Sequence, residues 1–385
     1  MIMGLGIQAS IALHIPHIIG VVVFVFAARS LLGRLCRWGS RRRWALKQQL
    51  VTPKDAARDG PFWNIEPRHD FDWAITPPMK LRPYKPRYYM TMGVSNASTS
   101  DLVTIDSEFL KRLQLRRDIL REHPTSSMRA TPRAEPAIRE LYEYLAGFYL
   151  PKRYPTLFRT RVDGGEAVLE NLASAETYPH RAPSATDATM QRLGTLVDED
   201  FIFLMPPPDG TRGEYTIQGW VVCFTSGFDL PPLLEKPLSF VHAPVPGYEE
   251  KLGLSMTRWF DRLAVGRLTR RYNWAITVHG GLRLSHGENA LYAFHETSRQ
   301  QQTDVDISKA HLRTELQHLY RLPSSRAIVL MYKTYLYPLE DIKAEGQGGA
   351  LADAIGGLSK GNVPAMAKYK GSEIWGEAVC KFLRS

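Results

Sequence analysis

The spacing of apolar residues along the chain predicts a mixture of helices and strands. Ile138, Leu141, Leu145 and Phe148 recur at intervals of three or four and share one face of a helix. A continuous apolar run, such as residues 327–335, is typical of a buried strand. On these patterns the predicted helices cover residues 106–122, 135–148, 249–268, 306–322 and 372–383. The predicted strands cover residues 201–205, 215–225, 273–278 and 327–335.

The predicted helix over residues 306–322 has a start signal and a stop signal. Asp306 is a suitable N-cap, and Pro323 ends the pattern. Its apolar face is expected to consist of Leu312, Leu316 and Leu319. On such a helix His311 and His318, which are seven positions apart, are expected to share a face.

Helices and strands follow one another without the regular strand–helix–strand order of a doubly wound sheet, so the pattern favours an α+β fold. Prolines and weak periodicity before residue 80 indicate a tether, and the glycines of residues 345–363 indicate a flexible segment. We therefore divide the chain into an anchor (residues 1–28), a basic tether (29–79), a globular domain (80–340) and a Gly-rich tail with a short C-terminal helix (341–385).

The segment Ile7–Ala28 carries no charged side chain. At about 1.5 Å per residue it is long enough to cross a bilayer as a helix. Seven basic residues follow at positions 29–47, whereas a secretory signal peptide carries its positive charge before the apolar run. The positive-inside tendency predicts one transmembrane helix whose soluble domain faces the cytosol, in the endoplasmic reticulum or the mitochondrial outer membrane. A buried or surface helix is the alternative.

The net charge of +10 over 385 residues is concentrated in that basic flank. No acidic residue precedes Asp55, so the chain that follows the flank is nearly neutral. A neutral domain offers little support for binding nucleic acid. The hydrophobic fraction of 44% indicates a chain that buries a substantial core.

Several common sites are absent from the sequence. There is no phosphate-binding P-loop, no dinucleotide fingerprint after a strand, no paired-histidine zinc motif and no serine nucleophile elbow. Cys36, Cys223 and Cys380 are far apart and indicate neither a disulfide framework nor a zinc site. The chain is therefore not expected to bind a dinucleotide of its own.

The segment around His242 carries more chemical information than any other. Pro244 and Pro246 stiffen the backbone after this histidine, and Gly247 permits a turn. A neutral imidazole on a rigid backbone beside apolar residues is what an axial haem ligand requires. A purely structural proline turn is the alternative interpretation.

A series of short motifs runs in order along residues 80–340. They are Met92-Gly93 after Tyr88-Tyr89, Ile105-Asp106, Arg153-Tyr154-Pro155, Val197-Asp198-Glu199-Asp200, His242-Ala243-Pro244-Val245-Pro246-Gly247-Tyr248, Arg271-Tyr272-Asn273-Trp274, Leu312-Arg313-Thr314-Glu315 and Leu319-Tyr320-Arg321-Leu322-Pro323. In this order and spacing the sequence resembles the haem-dependent oxidative N-demethylase alpha-subunit-like family.

The resemblance implies a PAS-like antiparallel sheet with surrounding helices that binds haem b. It also implies oxidative demethylation of a small secondary amine such as dimethylamine, with release of formaldehyde. Electrons would come from a separate reductase with flavin and iron–sulfur groups, which agrees with the missing nucleotide motif. Two other hypotheses remain open: a non-catalytic haem sensor or carrier, and an interaction module without haem.

With this resemblance, each candidate residue has an expected role. His242 is the expected axial ligand, and its rivals are His279, His295, His311 and His318. Arg271 and Arg313 are candidates for binding haem propionates, and Asn273 and Trp274 for lining the cavity. Glu315 and Glu199 are candidate carboxylates that accept a proton from an ammonium substrate. For each of these residues, an ion pair or a place in the core is the structural alternative.

Overall fold

A seven-stranded antiparallel sheet forms the centre of the fold in this computed structural model, which describes residues 60–208, 211–284 and 305–385. A separate sheet has three antiparallel strands. In chain order the strands are β1 Ser95–Ala97, β2 Met128–Ala130, β3 Phe158–Asp163, β4 Glu166–Asn171, β5 Thr177–Pro179, β6 Asp200–Met205, β7 Thr216–Val221, β8 Leu268–Thr277, β9 His311–Arg321 and β10 Ile328–Pro338.

The strands of the large sheet follow the order β1-β8-β9-β10-β6-β7-β2. The five middle strands, read across the sheet, are β7, β6, β10, β9 and β8. When these five are numbered by their order in the chain, the order across the sheet is 2-1-5-4-3. β9 pairs with β10 along its whole length and with β8 from His311 to Leu319, so Glu315 lies between Asn273 and Thr334. This register decides which side chains lie together, because successive residues of a strand point to opposite faces of the sheet.

Helices pack against both faces of the large sheet. On one face, Phe109 and Leu141 join Phe203 and Met331 in a core cluster. On the other face, Phe260 packs in a cluster with strand residues such as Leu319. The α-helices are α1 Phe109–Glu122, α2 Pro124–Ser127, α3 Glu135–Tyr144, α4 Leu150–Arg153, α5 Thr186–Leu196, α6 Leu238–Val241, α7 Leu254–Arg262, α8 Leu339–Ala344, α9 Gly348–Gly356, α10 Met366–Tyr369 and α11 Ser372–Arg384.

Two of these helices are extended by a wider turn. The π-helical segment Leu145–Tyr149 follows α3, and the segment Glu249–Gly253 precedes α7.

Most elements predicted from the sequence are present, with shifted ends. The α+β class with antiparallel sheets is confirmed, as are the helix that contains Ile138 and the C-terminal helix.

The helix predicted over residues 306–322 is wrong, because this stretch is strand β9. Asp306 does accept a hydrogen bond from the backbone of Ser308, but it caps only the 3-10 turn Ile307–Lys309. The strand is buried on both faces, so its apolar residues show no simple alternation that would reveal a strand. As a consequence His311 and His318 point to opposite faces instead of sharing one.

The segments on either side of the predicted domain are also packed. Phe62, Ile65 and Phe71, in the stretch predicted to be a tether, are buried in the main core. The glycine-rich stretch after residue 345 contains α9, whose Leu351 and Ile355 are buried against the C-terminal helix cluster. The prediction of a flexible segment there is wrong, because the glycines stand at the two ends of a mostly apolar run, residues 350–355, that forms the helix.

The membrane prediction also needs correction. Within residues 60–208, 211–284 and 305–385, no helix has the length and apolar character needed to cross a bilayer. The structure therefore gives no support for a single-pass membrane protein facing the cytosol, and we correct that part of the predicted architecture and location. The segment predicted to span, residues 7–28, and the tether up to residue 59 lie outside the described residues.

Candidate functional site

A row of polar side chains crosses β8 and β9 on one face of the large sheet. The register sets Arg271 opposite Gln317 and Asn273 opposite Glu315. Gln317 joins the two pairs: its side-chain oxygen accepts from Arg271 Nη1, and its Nε2 donates to Glu315 Oε2 at 2.8 Å. Asn273 Nδ2 donates to the same glutamate oxygen at 3.4 Å. Glu315 is therefore a buried carboxylate held by two amides.

Arg313 extends the row and supports Glu315. Its Nε lies 3.7 Å from Glu315 Oε1, and its two terminal nitrogens donate to the backbone oxygens of Leu282 and Phe224 at 2.8 and 2.7 Å. Burial lowers the pKa of Arg313, while the charge of Glu315 opposes that shift. Because most of its donors are already used by the protein, Arg313 acts here as a fixed support for the carboxylate.

His242 lies at the C-terminal end of the short helix α6. Its Nδ1 is 2.8 Å from the backbone oxygen of Leu238. A carbonyl oxygen can only accept, so Nδ1 carries the proton and Nε2 presents its lone pair. The ring stacks on Tyr248 with centroids 4.5 Å apart and planes inclined by 9°. Two independent contacts thus fix the orientation of an imidazole whose Nε2 has no hydrogen bond to another described residue.

Electrostatics keep the His242 imidazole neutral near pH 7. Burial lowers its pKa, the hydrogen bond to Leu238 opposes this, and the positive charge of Arg271 lowers the pKa further. The effect of Arg271 shows that the polar row on β8 and β9 acts electrostatically on His242. A neutral imidazole with a free lone pair is a ligand for a metal ion.

Lys370, between α10 and α11, reaches the same region and was missed by the sequence reasoning. It is 5% exposed, and its Nζ donates to the backbone oxygen of Trp274 at 2.6 Å. Burial lowers its pKa to about 8; Arg271 also lowers it, and Glu315 acts in the opposite direction. Lys370 is distant in sequence from every motif, and the only available signal was a basic residue beside the aromatic Tyr369 near the apolar C-terminal helix.

Glu199, the second predicted carboxylate, belongs to a different cluster. Its Oε1 accepts from the backbone N–H of Thr104 at 2.9 Å. Beside it, Asp198 and Asp106 both bind Lys333, at 3.1 and 2.8 Å. Thr334 of β10 is paired with Glu315 of β9, and Lys333 is the residue before Thr334. Because consecutive residues of a strand point to opposite faces, Lys333 points away from the face that carries Glu315. The structure does not bring Glu199 and Glu315 together.

Trp274 also lies on the opposite face from Asn273, since the two are consecutive on β8. It is buried beside Tyr84, with ring centroids 6.1 Å apart, in the core of the C-terminal helices. The backbone oxygen of Trp274 accepts a hydrogen bond from Lys370 Nζ. The side chain of Trp274 is therefore a core residue in this structure.

The rival histidines have other surroundings. His318 is 3% exposed, and burial lowers its pKa to about 4. The Nδ1 of His311 is 2.8 Å from the backbone oxygen of Lys309. His279 is exposed at the end of β8, and His295 lies outside the described residues. His311 lies on the same face of β9 as Glu315, and its Nδ1 is held by a backbone oxygen as that of His242 is. His242 differs from it in the second contact, the stacked ring of Tyr248.

A cleft of about 640 Å³ lies elsewhere on the domain, between the start of α1, the end of β10 and α8. Its walls include Arg82, Arg112, Tyr335, Tyr337 and Glu345. None of the predicted site residues lines it. The cleft is therefore not part of the candidate site around His242 and Glu315, which is defined by the contacts of its side chains.

The donor set favours one kind of metal centre. Among the described residues, no three His, Cys, Asp or Glu side chains lie close enough to hold an ion together. A site with one oriented histidine suits an iron whose other ligands come from a macrocycle. The nearby cations, Arg271 and Lys370, suit anionic groups on such a macrocycle.

Comparison with known families agrees with this donor set. A family model described as haem-dependent oxidative N-demethylase, alpha subunit-like, matches residues 93–380. The match includes α6 with His242, the strands that carry Arg271, Asn273, Arg313 and Glu315, and the segment with Lys370. Since it covers most of the chain, the protein belongs to the haem-dependent oxidative N-demethylase alpha-subunit-like family.

Proposed function

We propose that this protein binds haem b with His242 Nε2 as the axial ligand and catalyses oxidative N-demethylation of a small secondary amine. The observation that carries the proposal is the fixed, neutral His242 ring with its Nδ1 bound to Leu238 and its Nε2 free. A ring held in this way needs no reorganisation to accept a metal. We also propose that the domain has the PAS-like fold that the family resemblance implies, and the 2-1-5-4-3 order of the five middle strands supports this.

The residues around His242 fit a haem. The ring supplies one ligand atom, and Arg271 and Lys370 supply positive charge for the propionates. Apolar side chains of α6 and α7, including Leu238, Val241 and Met256, provide a low-polarity wall. When bound, the haem supplies the activation of molecular oxygen, and the protein supplies orientation and charge.

Glu315 is the group we assign to the amine. A secondary amine is protonated near neutral pH, and a carboxylate stabilises such an ammonium through a charge-assisted hydrogen bond. Gln317 and Asn273 hold Oε2 of Glu315, so the carboxylate cannot swing away from the row. Oε1, the oxygen without an amide donor, is the atom we assign as acceptor of the ammonium proton.

The proposed reaction needs electrons from outside this chain. The N-methyl carbon is oxidised to formaldehyde, which takes one oxygen atom of O2, while the other oxygen atom leaves as water. Two electrons and two protons balance the step, and the amine leaves with one methyl group fewer. Because the sequence has no dinucleotide motif, we propose a separate reductase with flavin and iron–sulfur groups as the electron source.

Reconstitution of the full-length chain with haem tests the proposal. We expect a Soret band that is lost or shifted in His242→Ala and unchanged in His279→Ala, a matched control at an exposed histidine. We then expect formaldehyde from dimethylamine in the presence of a chemical reductant. No Soret band would refute haem binding, and a stable haem complex without product from methylated amines would favour a haem sensor or carrier.

A further inference from the structure

We propose that the hydroxyl of Tyr332 is a second acceptor for the substrate ammonium, beside Oε1 of Glu315, and that the pair selects a secondary amine over a tertiary one. The inference rests on the proposed function and adds a residue that lies outside the sequence motifs. It starts from a polar atom inside the fold whose hydrogen-bonding capacity is unused.

Tyr332 lies in the middle of the large sheet. It is 5% exposed, and on β10 it is paired with Gln317 of β9 on one side and with Asp200 of β6 on the other. Its buried hydroxyl forms no hydrogen bond with any residue that the structure describes. A buried hydroxyl without a partner costs free energy, and nearly all such groups in proteins are bonded. A ligand beside Tyr332 can supply the partner.

The sheet register places Tyr332 on the face that carries Glu315. Residues paired directly across two strands point to the same face, so Tyr332 and Gln317 are neighbours there. Glu315, two residues before Gln317, is a diagonal neighbour of Tyr332, and diagonal pairs lie within reach of an aromatic side chain. Tyr332 also belongs to the same buried cluster as Leu238 of α6, the helix that ends at His242. Register and packing thus place Tyr332 in the layer that contains the site.

The paired neighbours of Tyr332 are already engaged. The carboxylate of Asp200 accepts from two backbone N–H groups at 2.7 and 3.0 Å and from Arg116 at 2.6 Å. Gln317 uses both its amide oxygen and its amide nitrogen within the polar row. Burial raises the pKa of Tyr332 well above its usual range, so the hydroxyl is neutral and can both donate and accept.

The chemistry of a protonated amine fits two acceptors. A secondary ammonium has two N–H groups, whereas a tertiary ammonium has one. Glu315 Oε1 accepts the first N–H, and the oxygen of Tyr332 accepts the second. A tertiary ammonium turns a methyl group toward the hydroxyl and leaves it unbonded, which is the basis of strong discrimination in hydrogen-bonding sites. Glu315 is 9% exposed and Asn273 is only partly buried, so a small ligand can reach this layer from the polar row.

Calorimetric titration of the full-length protein, with and without haem, tests the inference. We expect dimethylammonium to bind about 10- to 100-fold more tightly than trimethylammonium, as one hydrogen bond to a charged group predicts. Tyr332→Phe should lose most of this preference and keep the Soret band of the wild type. Equal preference in the two proteins would overturn the role of Tyr332 alone. Absence of both a Soret band and amine binding would overturn the proposed function as well.

Tyr320→Phe is the matched control. Tyr320 is 4% exposed on β9, and its hydroxyl also has no partner among the described residues, but it points to the face opposite Gln317. This variant should keep the wild-type preference. Without ligand, Tyr332→Phe should unfold at an equal or higher denaturant concentration, because an unbonded buried hydroxyl has been removed. Loss of preference in both variants, or strong destabilisation of Tyr332→Phe, would mean that Tyr332 is structural.

Discussion

Glu199 and Glu315 are both buried carboxylates, but their neighbours differ. Two side-chain amides stabilise Glu315. Glu199 has one backbone donor, and burial together with the negative charge of Asp198 raises its pKa to about 8, against the opposing charge of Lys333. Glu199 therefore holds a proton at neutral pH, whereas Glu315 is fixed in place by side-chain amides. The sequence shows two glutamates of the same residue type, and only their environments in the fold distinguish them.

The raised pKa of Glu199 predicts a specific dependence of stability on pH. The folded state binds its proton more tightly than the unfolded state, so its contribution is fully present below about pH 4.5 and is lost as the pH rises through about 8. The slope from this group is at most about 1.4 kcal/mol per pH unit.

Glu199→Gln should therefore flatten the decline of the free energy of unfolding between about pH 5 and pH 9, measured by urea denaturation. Glu122→Gln, at an exposed position of α1, should leave the profile unchanged. Parallel profiles for wild type and Glu199→Gln would show that Glu199 is ionised in the folded state.

Glu315→Gln tests the assignment of the amine-binding carboxylate. The amide is similar in size but cannot accept the ammonium proton, so formaldehyde release should fall by about 10²- to 10⁴-fold while haem binding is retained. Glu340→Gln, at an exposed glutamate of α8, should keep full activity. If Glu315→Gln retains wild-type turnover, Glu315 has only a structural role.

At the scale of elements, β9 organises the site. It is bonded on both edges, to β8 and β10, and is buried on both faces. One face carries Arg313, Glu315 and Gln317, and the other carries apolar residues such as Leu316. The same strand therefore packs in the core and carries the polar row. A change that destabilises the sheet is expected to displace the side chains of the polar row as well.

Leu316→Ala should lower the free energy of unfolding by about 2–5 kcal/mol, because Leu316 is 3% exposed and its removal leaves a cavity. Leu254→Ala, at a position that is 63% exposed, should change stability by less than about 0.5 kcal/mol. Chemical denaturation of both variants provides the measurement. A small effect at Leu316 would contradict its burial beneath the site.

At the scale of the whole described domain, the C-terminal residues complete the core. Trp375, Val379 and Leu383 of α11 are each at most 3% exposed, in a cluster with Leu312 of β9. The chain segment with Lys370 enters this layer just before α11. The region that the sequence indicated as a tail is thus part of the structure that holds the polar row.

Deletion of residues 372–385 should therefore destabilise the domain. Burying three large side chains contributes about 1.5–3 kcal/mol each, so the loss should be several kcal/mol. Thermal unfolding should begin at a much lower temperature, and haem affinity should fall because Lys370 loses its support. Removal of Ser385 alone is the control, and an unchanged melting temperature after the longer deletion would contradict the packing of α11.

The sequence by itself determined the local features of this protein. The helices with clear periodicity, the α+β class and the family all followed from patterns within short stretches, and His242 could be selected as a candidate because prolines stiffen the chain after it. Arg271, Asn273, Arg313 and Glu315 could be selected as candidates, because each lies in a motif. These features depend on neighbours in sequence, which the sequence shows directly.

Only the tertiary structure decided which candidates meet. Strand alternation placed Trp274 on the other face from Asn273, and the sheet separated Glu199 from Glu315. The two buried faces of β9 concealed its strand character, because burial removes the apolar–polar alternation. Lys370 became part of the site through a contact with Trp274 across 96 residues. Such relations depend on register and packing between distant segments, and those are set by the fold as a whole.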